Sequence, residues 1–190
     1  MNDGYGFGVP RVLLSTYGDG ATLTAAAAAT CLPTSHASLT LPTGYWSIGK
    51  MWQLKASGRI SSVITTPGTA RFDLRMGAVV AFDTGAILLD TVAGHTTMPW
   101  VLDVLLTCRA IGPSTSTTLL GQGTWCCEDI LGTPASSPKG GIVAMVPWNA
   151  APAVGTGFSN VTTHLVDFFF TQTVATGSMT LHQFQIIEWN

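Results

Sequence analysis

The side chains able to do chemistry in this 190-residue chain are four histidines, ten carboxylates and four cysteines, and their spacing limits what they can do. His164 and Asp167 stand three apart in an apolar run that reads as a strand, so they leave it on opposite faces and cannot form a dyad within it. His182 and Glu188 share a face but lie roughly 20 Å apart along an extended chain. His36 and His95 fall in expected loops with no carboxylate close in sequence. Glu128 and Asp129 are adjacent, and on a strand they point opposite ways, whereas glycoside hydrolysis needs two carboxylates about 5 to 9.5 Å apart. No G-x-S-x-G, H-E-x-x-H or phosphate-loop motif is present. Gly4, Gly6 and Gly8 do not sit between a strand and a helix, so they do not make a dinucleotide loop. The expectation is a protein that is not an enzyme, with no catalytic residue, no metal and no cofactor.

Cys31, Cys108, Cys126 and Cys127 are too few for a disulfide scaffold and lack C-x-x-C spacing. They read as reduced packing residues, with Cys126 and Cys127 on opposite faces of one strand. The first ten residues have neither a basic nor an apolar signal region, and no stretch approaches the ~18 apolar residues of a membrane span. Synthesis in a cytosol is expected.

With catalysis set aside, contact residues carry the functional reading. In MNDGYGFGVP, glycines alternate with Tyr5, Phe7 and Val9, a pattern suited to an extended arm whose apolar side chains dock on another surface. Arg59, Arg71, Arg75 and Arg109 fall on polar strand faces; Arg71 and Arg75 read as a cross-strand ladder with Asp73 or Asp103, or the four serve as contacts to a capsid or neighbour. Of six tryptophans, Trp52, Trp100 and Trp125 fit core positions by alternation. Trp148, in the loop Val146-Pro147-Trp148-Asn149, is the best exposed candidate, as an interface anchor or a platform for a sugar ring.

The elements that must position these residues are strands. Trp52, Leu54, Ala56, Gly58 and Ile60 alternate with Gln53, Lys55, Ser57, Arg59 and Ser61, the pattern of a strand with one buried face. Ala70, Phe72, Leu74 and Met76 alternate likewise after Thr65-Thr66-Pro67-Gly68, a type II turn signal, and the two runs are expected to pair as a hairpin. The first run, 52–64, is longer than the usual limit of about ten residues, so a bend or bulge is expected at Gly58. Further strands are expected at 78–82, 86–89, 100–111, 118–125, 142–146, 161–171 and 179–189. The alanine run at 24–30 reads as a brief helix or a small-residue strand. Residues 100–111 and 166–170 are apolar on nearly both faces and belong mid-sheet. The predicted fold is all-β, an antiparallel jelly-roll-like sandwich spanning 21–190, preceded by an arm over 1–20.

Only 9% of the residues are charged, against about 25% in an ordinary soluble domain. Spread over the roughly 8,700 Å² expected for a monomer of this mass, that is one charge per about 480 Å². Interfaces are where charge is depleted, so the composition predicts a subunit of an assembly. The net charge of −2 gives no electrostatic footprint for nucleic acid or an anionic membrane.

The runs Lys55-Ala56-Ser57-Gly58-Arg59-Ile60-Ser61, Thr65-Thr66-Pro67-Gly68-Thr69, Pro99-Trp100, Leu106-Thr107-Cys108-Arg109-Ala110-Ile111-Gly112 and Ala151-Pro152-Ala153-Val154-Gly155-Thr156-Gly157-Phe158 resemble those of a group of tailed-bacteriophage virion proteins. The resemblance spans residues 38 to 189 and transfers no catalytic residue. It implies a structural virion component made in the host bacterial cytoplasm. The expected role is a capsid decoration protein, a homotrimer that cements neighbouring subunits of the major capsid protein. The alternative is a tail-associated module that binds a receptor or a host-surface glycan, with Trp148 and Tyr45 lining a groove.

Overall fold

The computed structural model describes residues 9–34, 38–131, 141–148 and 153–189. Among them are twelve strands and no helix: β1 (Arg11–Ser15), β2 (Ala28–Thr30), β3 (Leu39–Leu41), β4 (Met51–Ser62), β5 (Thr69–Met76), β6 (Val79–Asp83), β7 (Ile87–Leu88), β8 (His95–Ala110), β9 (Thr118–Leu131), β10 (Gly141–Val146), β11 (His164–Gln172) and β12 (Ser178–Glu188). They form two antiparallel sheets. The first runs β1-β12-β4-β8-β9-β10; the second runs β2-β11-β5-β6, with β3 also on β11 and β7 also on β5. The all-β antiparallel sandwich read from the alternating runs is the fold that forms.

Alternation decides the layers. Trp52, Leu54, Ala56 and Ile60 of β4 are buried, as are Phe72, Leu74 and Met76 of β5, Leu102, Val104 and Leu106 of β8, and Phe168 and Phe170 of β11. Phe72 is at the centre: its ring lies 4.7 Å from Trp100, 5.2 Å from Trp125 and Phe170, and 5.5 Å from Phe168, centroid to centroid. Rings at these separations gain electrostatic complementarity beyond the burial of their area. Trp52, Trp100 and Trp125 are core residues as alternation predicts. None of the four cysteines is in a disulfide; Cys127 is buried and Cys126 turns to the other face.

Two expectations need correction. Runs 52–64 and 69–76 do not pair as a hairpin: β4 hydrogen-bonds β12 and β8, whereas β5 hydrogen-bonds β11, β6 and β7. The chain between them crosses from one sheet to the other. Gly68 keeps the positive φ (66°) that the turn signal requires, because an arch between sheets and a hairpin need the same local geometry. The second correction concerns Asp73, assigned by alternation to a solvated face but only 1% exposed. Its carboxylate accepts from Arg75 Nε at 2.5 Å, and the Arg75 guanidinium lies over the Phe169 ring at 3.7 Å.

The irregularity expected at Gly58 sits across the ladder. Register shifts between Leu181 and Gln183 of β12, opposite Gly58 and Ser57. A β-carbon on Gly58 would stand 2.0 Å from the Thr180 carbonyl oxygen, so the bulged strand approaches too closely for any side chain. The alanine run ends in β2, a three-residue strand on β11. Residues 11–15, within the expected arm, form β1 against β12. The mid-sheet expectation holds for β8, between β4 and β9, and for β11, between β2 and β5.

Candidate binding site at the Trp148 groove

A groove of about 240 Å³ opens where the two sheets meet, lined by Phe82, Asp83, Gly85, Gly121, Pro147, Trp148 and residues 153–155. Strand β6 ends at Asp83, and Thr84 carries the chain on along β5 toward β7. The Thr84 N–H donates to the Phe72 carbonyl at 2.9 Å, and its hydroxyl accepts from the Phe72 N–H at 2.9 Å. Gly85 follows with φ of 77°, a conformation that side-chain-bearing residues rarely adopt. The Asp83 carboxylate accepts from the Gly85 N–H at 2.7 Å. A short polar side chain followed by glycine is the usual chemistry of such a turn.

From the other sheet, β10 ends at Val146 and the chain passes through a cis Val146–Pro147 peptide to Trp148. The Trp148 N–H donates to the Thr84 carbonyl at 2.9 Å and its indole N–H to the Ala86 carbonyl at 3.0 Å. A β-carbon on Gly85 would stand 3.5 Å from Trp148 Cδ1, so the turn packs against the ring. The indole is half-buried and fixed at two points, less exposed than its loop position suggested. Because its N–H is already used, it offers the groove its carbon surface.

Asp83 completes the site. One carboxylate oxygen holds the turn and the other pairs with Arg71 Nη2 at 2.5 Å. Both side chains are about a third exposed, so the carboxylate retains acceptor capacity toward the groove. What results is an aromatic surface beside a hydrogen-bonding anion on rigid elements. Such a pairing can hold the apolar face of a hydroxylated ring while accepting from its hydroxyls. The volume is below the roughly 300–1,000 Å³ of sites that enclose drug-sized ligands, which suits a shallow contact with one ring.

The structure thus brings Arg71 and Trp148 to one place, linked through Asp83. Arg75 instead pairs with Asp73, and Asp103 takes Lys55 (3.3 Å) and Gln53 (2.8 Å) rather than an arginine. Arg109 and Val9 are exposed, and neither lines the groove. Tyr5, Phe7 and His36 lie outside the described residues. Tyr45 is not a free platform: its hydroxyl donates to Glu188 and accepts from the Trp52 indole N–H at 2.9 Å, while Lys50 sits over its ring at 4.1 Å. Burial first, and the Glu188 hydrogen bond second, raise its pKa above the ordinary phenol value.

The described histidines do not form a catalytic set with the carboxylates considered for them. His164 bonds the Ser159 carbonyl and Thr162, while Asp167 accepts from the Thr30 hydroxyl. His95 is a correction to the loop reading: it opens β8 and bonds Asp90, five residues earlier, at 2.9 Å. His182, at the bulge, bonds Asp19 at 2.8 Å. Among the described residues no group of three or more His, Cys, Asp or Glu could hold a metal ion.

Two further grooves, of about 420 and 440 Å³, adjoin on the outer face of the first sheet and share Ser57, Val101 and Gln183. Their lining mixes Ala56, Pro99 and Val101 with amides, hydroxyls and ion-paired side chains, Lys55 and Arg59 being engaged by Asp103 and the Thr97 carbonyl. Their aromatic residues, Phe184 and Trp100, are buried in the core and present no open ring face.

Sequence reading missed Asp83 and Gly85. Asp83-Thr84-Gly85 is a legible turn, but nothing local connects it with a tryptophan more than sixty residues later.

No family model matches the chain, and no curated protein matches it. A solved structure similar to it is that of the CBM2 module of Lactobacillus casei BL23 phage J-1 evolved Dit. The TM-score is 0.29 and the identity 10%, over 80% of this chain and 68% of that one. A likeness this slight carries no argument, and the functional reading rests on this chain's own residues.

Proposed function

We propose that this chain is a structural module of a bacteriophage particle that binds a host-surface saccharide through the Trp148 groove, as a tail-associated binding component would. The virion assignment is supported by the short runs shared with tailed-phage structural proteins. The binding assignment is carried by one observation: Trp148 is pinned by two backbone hydrogen bonds with its ring in an open groove beside Asp83. A platform already fixed in place loses little conformational freedom on binding. Among the described residues Asp83 is the one carboxylate lining the groove, and a single carboxylate beside an aromatic ring is recognition chemistry, whereas a glycosidase uses two. No cofactor, metal or nucleic acid enters this reading.

The test is a glycan array probed with the whole chain and with Trp148→Ala. Binding to a saccharide class that the variant loses is the expected result; no binding by the unaltered chain, or equal binding by both, overturns the reading.

A second reading is favoured by a different observation. Val101 and Leu105 stand exposed on the outer face of the first sheet, where the Lys55–Asp103 pair neutralises itself. A neutral face with aliphatic side chains suits a capsid decoration protein, expected as a homotrimer, that cements major capsid subunits. Particles with and without the chain would then rupture at different temperatures on heating, and equal temperatures would remove this reading.

A further inference from the structure

The edges of the two sheets are not equally protected. β1 is five residues long, begins with Arg11 and carries a bulge between Val12 and Leu14. β2 and β3 have three residues each. β6 ends on Asp83 and slips register against β5. Charge, shortness and bulging are the devices by which an exposed edge avoids pairing with another chain.

β10 shares the irregularity, its register against β9 shifting between Gly141 and Val143, but not the charge. Its sequence, GIVAMV, has no charged residue and no proline. From Val143 to Val146 its pairing with β9 is regular, and no strand pairs with its far side among the described residues. Val143 and Met145 point outward, 55% and 68% exposed, while Val146 is buried and Ala144 packs against the core. The exposed apolar surface also runs inward from the edge, since Val143 neighbours Cys126 and Cys126 neighbours Val101 on the same face.

We infer that β10 pairs antiparallel with β10 of a second copy of this chain, joining the two first sheets across a twofold axis. A second copy fits this edge because the strand carries no charge. In a self-paired strand each residue near the axis meets its own kind or a near neighbour, so any charge there faces a like charge and destabilises the pair. A strand without charge escapes that penalty. With the axis at Ala144, Val143 stands opposite Met145 of the partner subunit, with Cβ atoms about 4.5–5.5 Å apart. The row Val101–Cys126–Val143 then continues into the second molecule, and the backbone groups of the open edge gain partners. Interfaces closed by a twofold are self-complementary, which makes the unit a dimer and not the trimer expected of a decoration protein. This inference does not depend on saccharide binding.

Light scattering after size exclusion tests it on the whole chain. The expected mass is twice 19.9 kDa, falling to the single-chain value in the double variant Val143→Lys, Met145→Lys, which sets lysines against lysines. A single-chain or threefold mass for the unaltered protein overturns the proposal, as does a doubled mass that persists in a folded double variant. Should the variant fail to fold, hydrogen exchange of the unaltered chain decides: protection of the 141–146 amides that rises with protein concentration supports the pairing, and concentration-dependent protection confined to other strands overturns it.

Discussion

Asp73 and Asp83 occupy directly opposed positions on β5 and β6, and each is paired with its own arginine. Like charges in this arrangement destabilise a sheet, so the arginines at positions 71 and 75 are what make the pair tolerable. The two halves differ in burial: Asp73 is enclosed, whereas Asp83 and Arg71 are about a third exposed.

That asymmetry predicts unequal costs. Arg75→Ala strands a buried carboxylate and should lower stability by about 3 kcal/mol, with part recovered by adding Asp73→Asn. Arg71→Ala breaks a solvent-screened pair and should cost no more than about 1 kcal/mol. Urea denaturation of the three variants measures both, and equal losses for the two arginines would contradict the burial argument.

Asp90 supplies a pH dependence. Burial pushes its pKa up, but the hydrogen bonds from His95 and from the Val92 and Ala93 backbone N–H groups outweigh burial, and the net shift is downward. A depressed folded-state pKa gives stability that is present above the ordinary aspartate value of about 3.9 and is lost as pH falls through the folded value. Asp90→Asn should therefore lower stability at neutral pH by about 1–3 kcal/mol and flatten the acid limb of the stability curve. An acid limb identical in the variant would show that Asp90 does not contribute to it.

Tyr45 works in the opposite direction. Its raised pKa keeps the phenol protonated in the folded protein, so the associated stability is present below the ordinary value of about 10 and is lost as pH rises above it. Tyr45→Phe leaves Glu188 and the Trp52 indole N–H short of a partner and should cost about 1–3 kcal/mol. In an ultraviolet titration, the phenolate signal near the ordinary value should be the same with and without Tyr45. A smaller signal there in the variant would mean that Tyr45 titrates normally.

At the core, Phe72→Ala removes the ring shared by Trp100, Trp125, Phe168 and Phe170, and should cost about 3–5 kcal/mol. Thermal melting checks this, and a loss comparable with that of a surface substitution would contradict its central placement.

Much of the fold was legible because burial in a sandwich writes itself as period two. Trp52 to Ile60 and Ala70 to Met76 show it, and the opposite orientation of Cys126 and Cys127 followed from it. Partner choice was not legible. The Thr65-to-Gly68 turn reads the same whether the chain folds back as a hairpin or crosses between sheets, and what decides is the pairing of β4 with β12, distant in sequence. Asp73 defeated alternation because Arg75 and Phe169 cover an outward position. Of the site, Trp148 and Arg71 were marked by residue type alone, whereas Asp83 reaches Arg71 across the β5–β6 ladder and meets Trp148 only where the two sheets come together.

Saccharide titration followed by nuclear magnetic resonance tests the central claim most directly, because it locates binding as well as detecting it. A saccharide selected by the array should shift the Trp148 indole signal and the amides of Gly85 and Gly155. Shifts confined to Ser57, Val101 and Gln183 on the outer sheet face, or none at saturating saccharide, would contradict the account.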